Sequence, residues 1–441
     1  MGKERVLMGK RLRLLGVGSL AALLFALACS AAPRAGAAPA EGAGPATAAV
    51  RVDAGRVLRT VDRRMLIGSN LALWNAAENF TAPELREWLA AAGIGLIRIP
   101  GGSWSDITYW NGHGVRDANG NADPARVKDG YPDIDYGAYA PSITVDGRGG
   151  IRADGWHGNV DVKTLHDYVG SIPGCETLVC VNAGTGRALD AAEWVRWANE
   201  VMGYEVRYWE VGNELEGSWE AGHFLADGSE LTGEMYARRY AEFAKAMKAV
   251  DPTIKVGGAA CGAGPGGFTE ALLRDAGDYV DFVSWHTYPL RSVMPQRQML
   301  AIAESDPARA VEAVRELIRK YQPDREDEIE LGVTEWNLGL EGGLEVDMFG
   351  VIWTAVFVGA MQRSGVAFAN QWDAFTHSRG GSLLFSQQPC APKGQYWAFW
   401  LWRHYMGDDV IACSLEGPDW LRAFATRSDD AVYVMAVNAS D

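Results

Sequence analysis

Val206-Arg207-Tyr208-Trp209-Glu210-Val211-Gly212-Asn213-Glu214 is an apolar, aromatic-rich run that stops at a glycine and hands over to Asn and Glu. A second stretch, Val333-Thr334-Glu335-Trp336-Asn337, ends another strand-like run in the same way. β-Branched and aromatic residues in short apolar runs argue for strand, and each run delivers a carboxylate where the strand ends. Two carboxylates held in different environments can take opposite roles, one kept protonated and the other ionised. A lone Glu is usually a solvated or salt-bridged group; a pair in matching contexts is harder to explain that way.

The same strand pattern recurs along the chain. Candidate strands are residues 65–70, 95–100, 177–182, 206–211, 254–258, 282–286, 329–335 and 367–372. Amphipathic helices are expected between them, most clearly over 83–92, 191–202, 234–250, 307–321 and 350–362, with a Trp- and Tyr-rich helix over 394–406. Ser305 and Asp306 offer N-cap chemistry to a helix opening at Pro307. Eight strands alternating with helices predict an α/β fold, a (β/α)8 TIM barrel; an open doubly wound sheet is the alternative. No Gly-x-Gly-x-x-Gly follows the first strand, which counts against the dinucleotide-binding form of that alternative. In a barrel the chemistry sits where strands pass into βα loops. Glu214 follows the fourth strand and Glu335 ends the seventh, so both fall on one rim.

Outside the barrel (62–408), residues 49–61 and 409–441 contain β-like segments, suited to a small β-sandwich that looks incomplete. Residues 1–29 read as a targeting segment, with Lys3, Arg5, Lys10, Arg11 and Arg13 preceding the apolar run 14–28. Cys29 follows an imperfect lipobox, so lipidation there would anchor the chain to a membrane; plain cleavage after an Ala-x-Ala site is the alternative. Residues 30–48, rich in Ala, Pro and Gly, read as a tether. Either outcome implies export, secreted or periplasmic or lipid-anchored at the cell surface. Of the six cysteines, the five beyond Cys29 lack Cys-x-x-Cys spacing, so no zinc cluster, metal or cofactor is expected. Cys390 with Cys413, or Cys175 with Cys180, are candidate disulfides, and free thiols the alternative. The 441-residue chain is 48% hydrophobic with a net charge of -15, a globular composition that argues against a nucleic-acid partner.

The longest irregular stretch, residues 101–159, follows the second strand and carries Trp104, Tyr109, Trp110, Tyr131, Tyr136 and Trp156. A long loop on the chemical rim is more often a binding wall than decoration. Within it, the Asp- and Asn-rich run 117–123 lacks the glycine position and terminal Glu of a calcium loop and reads as an Asx-rich turn.

Taken together, Arg98-Ile99-Pro100-Gly101-Gly102, Val181-Asn182-Ala183-Gly184-Thr185-Gly186, the stretch ending Asn213-Glu214, and Thr334-Glu335-Trp336-Asn337 resemble the clan A retaining glycoside hydrolases. The nearest likeness is to the α-L-arabinofuranosidases of family 51, with similarity to families 39 and 44, and it runs from Gly68-Ser69-Asn70 to Trp372. The resemblance implies Glu214 as acid/base and Glu335 as nucleophile of a double displacement on an oligo- or polysaccharide. It also implies a hydrogen bond from Tyr288 to Glu335. Retention requires carboxyl groups about 5–5.5 Å apart. Glu214 should then be held neutral by burial and by the charge of Glu335, while Arg98 holds Glu335 ionised. Asn213 suits the sugar 2-hydroxyl, His286 and Asn70 lie on the same rim, and Trp372 suits stacking on the sugar ring. Glu210 is expected to pair inside the barrel, and Glu216 to be a loop or subsite residue.

Ser103-Trp104-Ser105-Asp106 stands where many arabinofuranosidases carry Asn-Phe and a small polar loop. Trp104 and Trp110 there could widen the site into a cleft for a glucan or xylan chain. An endo-β-glycanase on the same scaffold is therefore the rival reading. A third is a non-catalytic carbohydrate-binding lipoprotein, against which the presence of both glutamates counts.

Overall fold

The computed structural model describes residues 23–28, 47–110, 143–145, 151–153, 159–225, 227–340, 344–376, 382–385 and 390–440. The chain forms two compact units, Val61–His404 and a second made from Met1–Thr60 with Tyr405–Asp441.

The larger unit is the expected barrel. Its strands are β1 Gly68–Asn70, β2 Leu96–Ile99, β3 Glu176–Val181, β4 Tyr208–Val211, β5 Lys255–Cys261, β6 Phe282–Thr287, β7 Glu330–Trp336 and β8 Phe368–Gln371. They close in sequence order, every pairing parallel. Side chains alternate across a strand, and the lumen shows it as layers. Leu96, Leu178, Tyr208, Phe282 and Phe368 form an apolar floor with Met65. Gly257 and Gly332 leave space for that floor, since a Cβ on them would lie 2.3 Å and 2.2 Å from the Phe282 and Phe368 rings. Two residues further along their strands come Arg98, Glu210, Ser284 and Asn370, all buried and polar. Two more reach His286 and Trp372 at the rim. A bulge in β7 pairs Trp285 with Val333 but His286 with Glu335, which turns Glu335 toward the lumen beside His286.

The helices follow the predicted periodicity, with local differences. The first predicted strand is shorter, because Met65 and Leu66 belong to the helix Arg63–Leu66. The helix expected to open at Pro307 instead runs Gln296–Tyr321, straight through that proline. Met299, Leu300, Ala303, Val311, Val314 and Ile318 keep one buried stripe on both sides of it. Burial of that stripe outweighs the hydrogen bond proline removes. Asp306 is no cap; it accepts a hydrogen bond from Thr287 Oγ1 at 2.7 Å. The helix Met348–Ser364 is buried on most of its surface, with Trp353 and Phe357 against Trp336.

The smaller unit is one antiparallel sheet, ordered Leu23–Ala28, Thr47–Thr60, Asp409–Glu416, Leu421–Arg427 and Val432–Asn438. The last strand alternates exposed and half-buried residues, as an antiparallel sheet with one solvated face does. Leu23–Ala28, at the end of the apolar run read as part of a targeting segment, pairs antiparallel with Thr47–Thr60 at the edge of the sheet. Among the described residues no disulfide joins Cys175 to Cys180 or Cys390 to Cys413, so neither candidate pairing forms. Among the described residues, no helix is long and apolar enough to cross a membrane. The Asx-rich run 117–123 lies outside the described residues, as do Tyr131, Tyr136 and Trp156.

Candidate active site

At the rim, Trp74, Gly102, Ser103, Trp104, Asn213, Glu214, Glu335 and Trp372 line a pocket of about 440 Å³. That volume lies in the range of small-molecule sites. The Trp74 ring centroid lies 5.2 Å from that of Trp104 and 5.9 Å from that of Trp372, giving an aromatic side to the pocket. Gly102 makes the approach possible: a Cβ there would lie 2.9 Å from the Trp372 ring.

Glu335 is held from two directions. Arg98 Nη1 donates to its Oε1 at 2.8 Å, and the Tyr288 hydroxyl donates to its Oε2 at 2.8 Å. Arg98 is fully buried and also donates through Nε to Glu210 Oε2 at 2.7 Å and through Nη2 to Asn213 Oδ1 at 2.8 Å. Burial works against the guanidinium charge, but the charges of Glu210 and Glu335 outweigh it and raise its pKa. Glu210 is likewise pushed up by burial and brought below the usual carboxylate range by Arg98 and then His286.

Glu214 sits in a different setting. It occupies the left-handed backbone region at φ 46, and its N–H donates to the Ala260 carbonyl at 3.1 Å. Such a conformation in a non-glycine residue is stored strain, and it collects at functional sites. Its Oε1 lies 2.7 Å from His286 Nδ1, and its Oε2 accepts from Trp219 Nε1 at 2.9 Å. Burial pushes its pKa up, but the hydrogen bond and charge of His286, then Trp219 and Arg98, bring it below the usual value. His286 shifts the opposite way: burial lowers it, and the charge of Glu335 with the bond to Glu214 raises it. The two shifts run in opposite directions and both favour the proton on His286 over Glu214. This differs from the expectation of a neutral Glu214, because an imidazole in contact stabilises the carboxylate more than burial disfavours it.

Asn70 lies one layer below the pocket, its Oδ1 accepting from Arg98 Nη1 at 3.3 Å and its Nδ2 donating to the Thr334 carbonyl at 3.2 Å. Trp110 is not a pocket residue. It is buried against Trp197, and its indole N–H donates to the Asp190 carbonyl at 2.9 Å. Its loop turns away from the rim after Trp104, so only the first of the two tryptophans can meet a ligand. Glu210 pairs inside the barrel as described, and Glu216 Oε1 accepts the Gly262 N–H at 2.5 Å.

The sequence reading did not assign Trp74, Asp106, Trp219 or Glu220. Trp74 lies four residues past β1, and Trp219 and Glu220 lie in the loop after Glu214; proximity to strand ends was the available signal. Asp106 is buried and pins the rim: Oδ1 accepts from Ala183 and Gly184 N–H at 3.0 and 2.8 Å, and Oδ2 from Asn213 N–H at 2.8 Å. Burial outweighs those three bonds and pushes it up to about 7.

Glu214, His286 and Glu335 each present an atom within 4.8 Å of the others, a donor set that also suits a metal ion. The Arg98 cation on one Glu335 oxygen and the Tyr288 hydroxyl on the other compete directly with that use. Chemically, the arrangement offers an oriented carboxylate between two donors facing a second carboxylate that shares a proton with an imidazole.

No family model matches the chain. It is 30% identical over 186 residues to an intracellular exo-α-(1→5)-L-arabinofuranosidase of Acetivibrio thermocellus, covering 37% of this chain and 35% of that protein. Over the bacterial curated relatives of that kind, the matched part of the chain spans about a third of their length or less. Its fold matches the family 51 α-L-arabinofuranosidase of Thermotoga petrophila, with TM-score 0.67, 20% identity, and 88% and 84% of the two chains covered. It also matches a family 44 endoglucanase of Clostridium thermocellum, with TM-score 0.58, 15% identity, and 89% and 87% covered. The chain is thus similar over part of its length to α-L-arabinofuranosidases and shares the barrel fold of family 51 and family 44 enzymes.

Proposed function

We propose that this protein is a retaining glycoside hydrolase that releases α-L-arabinofuranosyl units from oligo- or polysaccharide. The observation that carries the reading is the carboxylate pair: an oxygen of Glu214 and one of Glu335 lie within 4.8 Å, each with a different set of partners. That spacing suits a nucleophile and an acid acting on one anomeric carbon without a water between them. Arabinofuranose as the sugar is supported by the names of the relatives.

Glu335, held between the Arg98 and Tyr288 donors, attacks the anomeric carbon, and the bond to the leaving oxygen breaks. As its charge passes into the new ester, His286 loses the main influence that held its proton. That proton moves along the 2.7 Å contact to Glu214 and on to the leaving oxygen. In the second half, Glu214 takes a proton from water, which attacks the same carbon and frees Glu335, and that proton returns along the same contact to His286. Asn213 contacts the sugar 2-hydroxyl, and the Trp74, Trp104 and Trp372 rings meet the apolar face of the ring.

A panel of aryl glycosides and soluble glycans tests the substrate. Release of arabinose supports the reading; shortening of a glucan without aryl-arabinofuranoside turnover replaces it with an endo-glycanase on the same fold. The roles are tested separately. Glu335→Ala should lose activity and recover part of it with azide, giving a glycosyl azide of inverted configuration. Glu214→Ala should spare substrates with very good leaving groups far more than natural glycans. Equal losses on both substrate types would remove Glu214 from the role of acid.

We further propose export through residues 1–29, ending either in lipidation at Cys29 or in plain cleavage after an Ala-x-Ala site. Amino-terminal analysis and fatty-acid labelling of the cell-associated protein decide it, and an unprocessed Met1 in mature protein would overturn it.

A further inference from the structure

Behind the pocket wall lies a third carboxyl group that the chemistry above does not use. Glu220 is 1% exposed, and its Oε1 accepts from the Ser103 hydroxyl at 2.6 Å and from Asn213 Nδ2 at 3.0 Å. Ser103 and Asn213 both line the pocket; Glu220 does not. Its Oε2 is buried without a hydrogen-bond partner among the described residues.

The bonds around these two lining residues determine what they present to a ligand. Asn213 is committed at three points: its N–H to Asp106, its Oδ1 to Arg98 and one Nδ2 hydrogen to Glu220. What it retains toward the pocket is the second Nδ2 hydrogen, a donor. Ser103 has given its only hydrogen to Glu220, so its oxygen retains lone pairs alone and is an acceptor. We propose that Glu220 is the positioning residue of this wall, fixing Ser103 as acceptor and Asn213 as donor so that the pocket selects a sugar ring presenting a free hydroxyl to Ser103 and an acceptor oxygen to Asn213. The inference rests on the glycosidase reading and names the feature of the sugar which that site reads. A glycoside alkylated or acylated at the hydroxyl that meets Ser103 has no hydrogen to give and is rejected.

Glu220 performs this role through the carboxyl oxygen that faces Ser103 and Asn213. Burial, then the neighbouring charge of Asp106, push its pKa up to about 9, and Glu214 and Glu335 add to the effect. An amide at this position keeps an acceptor oxygen for Ser103 and Asn213; an apolar side chain removes it, leaving the buried Asn213 donor unmet and the Ser103 hydroxyl free to turn.

The test is steady-state kinetics on the aryl glycoside the wild type hydrolyses best, with thermal unfolding run beside it. Glu220→Gln is expected within about threefold of wild type, whereas Glu220→Met falls about tenfold to a hundredfold in kcat/KM. Ser103→Ala, which alters the pocket surface and leaves the buried carboxyl in place, is expected to lose about threefold to tenfold. With a series of monodeoxy glycosides, the gap between wild type and Ser103→Ala should close for one analogue. A structural role alone would not produce that convergence, and it can be read even if Glu220→Met fails to fold. A gap equal for all analogues overturns the proposal, as does Glu220→Gln impaired as deeply as Glu220→Met. A wild type that hydrolyses no glycoside overturns the glycosidase reading itself and this inference with it, a result distinct from active wild type with indifferent variants.

Discussion

His286 Nδ1 lies 2.7 Å from Glu214 Oε1 and 3.8 Å from Glu335 Oε2, so one imidazole couples the two carboxylates of the site. Protonation of that ring should follow the charge on Glu335. The His286 resonance is expected to titrate above 6.5 in the wild type and at lower pH in Glu335→Gln, as measured by NMR. Identical titrations in the two proteins would contradict the coupling.

The same pair makes stability depend on pH with a definite sign. His286 is raised, so its contribution is complete below 6.5 and is lost as pH rises through its folded value. Glu214 is lowered, so its contribution is complete above 4.5 and is lost as pH falls through its folded value. Wild type should therefore exceed a His286→Gln, Glu214→Gln variant in unfolding free energy most clearly between 4.5 and 6.5. Urea denaturation across pH measures it, and a flat difference would exclude the linkage.

Arg98 and Glu210 form an ion pair wholly excluded from solvent. Removing one partner leaves a buried charge, so Glu210→Ala should destabilise the fold by about 3–5 kcal/mol. The double replacement Arg98→Met, Glu210→Leu should recover much of that stability while remaining inactive, because Glu335 has lost its guanidinium. Denaturant midpoints and activity assays on the two proteins check both halves.

Gly262 faces the carboxyl of Glu214. A Cβ there would lie 2.4 Å from the carboxyl carbon, while the backbone itself would accept alanine. Gly262→Ala should therefore displace the group and reduce kcat by about a hundredfold, with little change in melting temperature. Wild-type kcat would show that Glu214 works from some other position.

Trp104 and Trp110 should separate cleanly. Trp104→Ala removes a pocket wall and should raise KM in a folded protein. Trp110→Ala empties a buried site and should destabilise by about 3–5 kcal/mol, with normal KM in the protein that remains folded. Equal effects on KM would return Trp110 to the pocket.

The barrel was legible because parallel strands buried on both faces carry long apolar runs, and eight such runs were countable between amphipathic helices. The rim position of Glu214 and Glu335 followed from that count. Pro307 misled because local chain chemistry pointed to a helix start, whereas the stripe from Met299 to Ile318 continues past it. Trp110 and Glu220 were illegible for another reason. Both lie in irregular loops, where no two- or four-residue period says which way a side chain points. The charge on Glu214 depends on a 2.7 Å contact with a residue 72 positions away, and no spacing in the chain reports it.

Arg98 touches Asn70 from β1, Glu210 and Asn213 from β4 and its end, and Glu335 from β7. One guanidinium thus surveys the circumference of the lumen, and a one-residue slip in any of those strands would turn a partner outward. Divergence among proteins of this architecture is consequently channelled upward. The strands can hardly vary without losing the chemistry, so new sugars must be learned by the loops, Ser103 and Trp104 among the first.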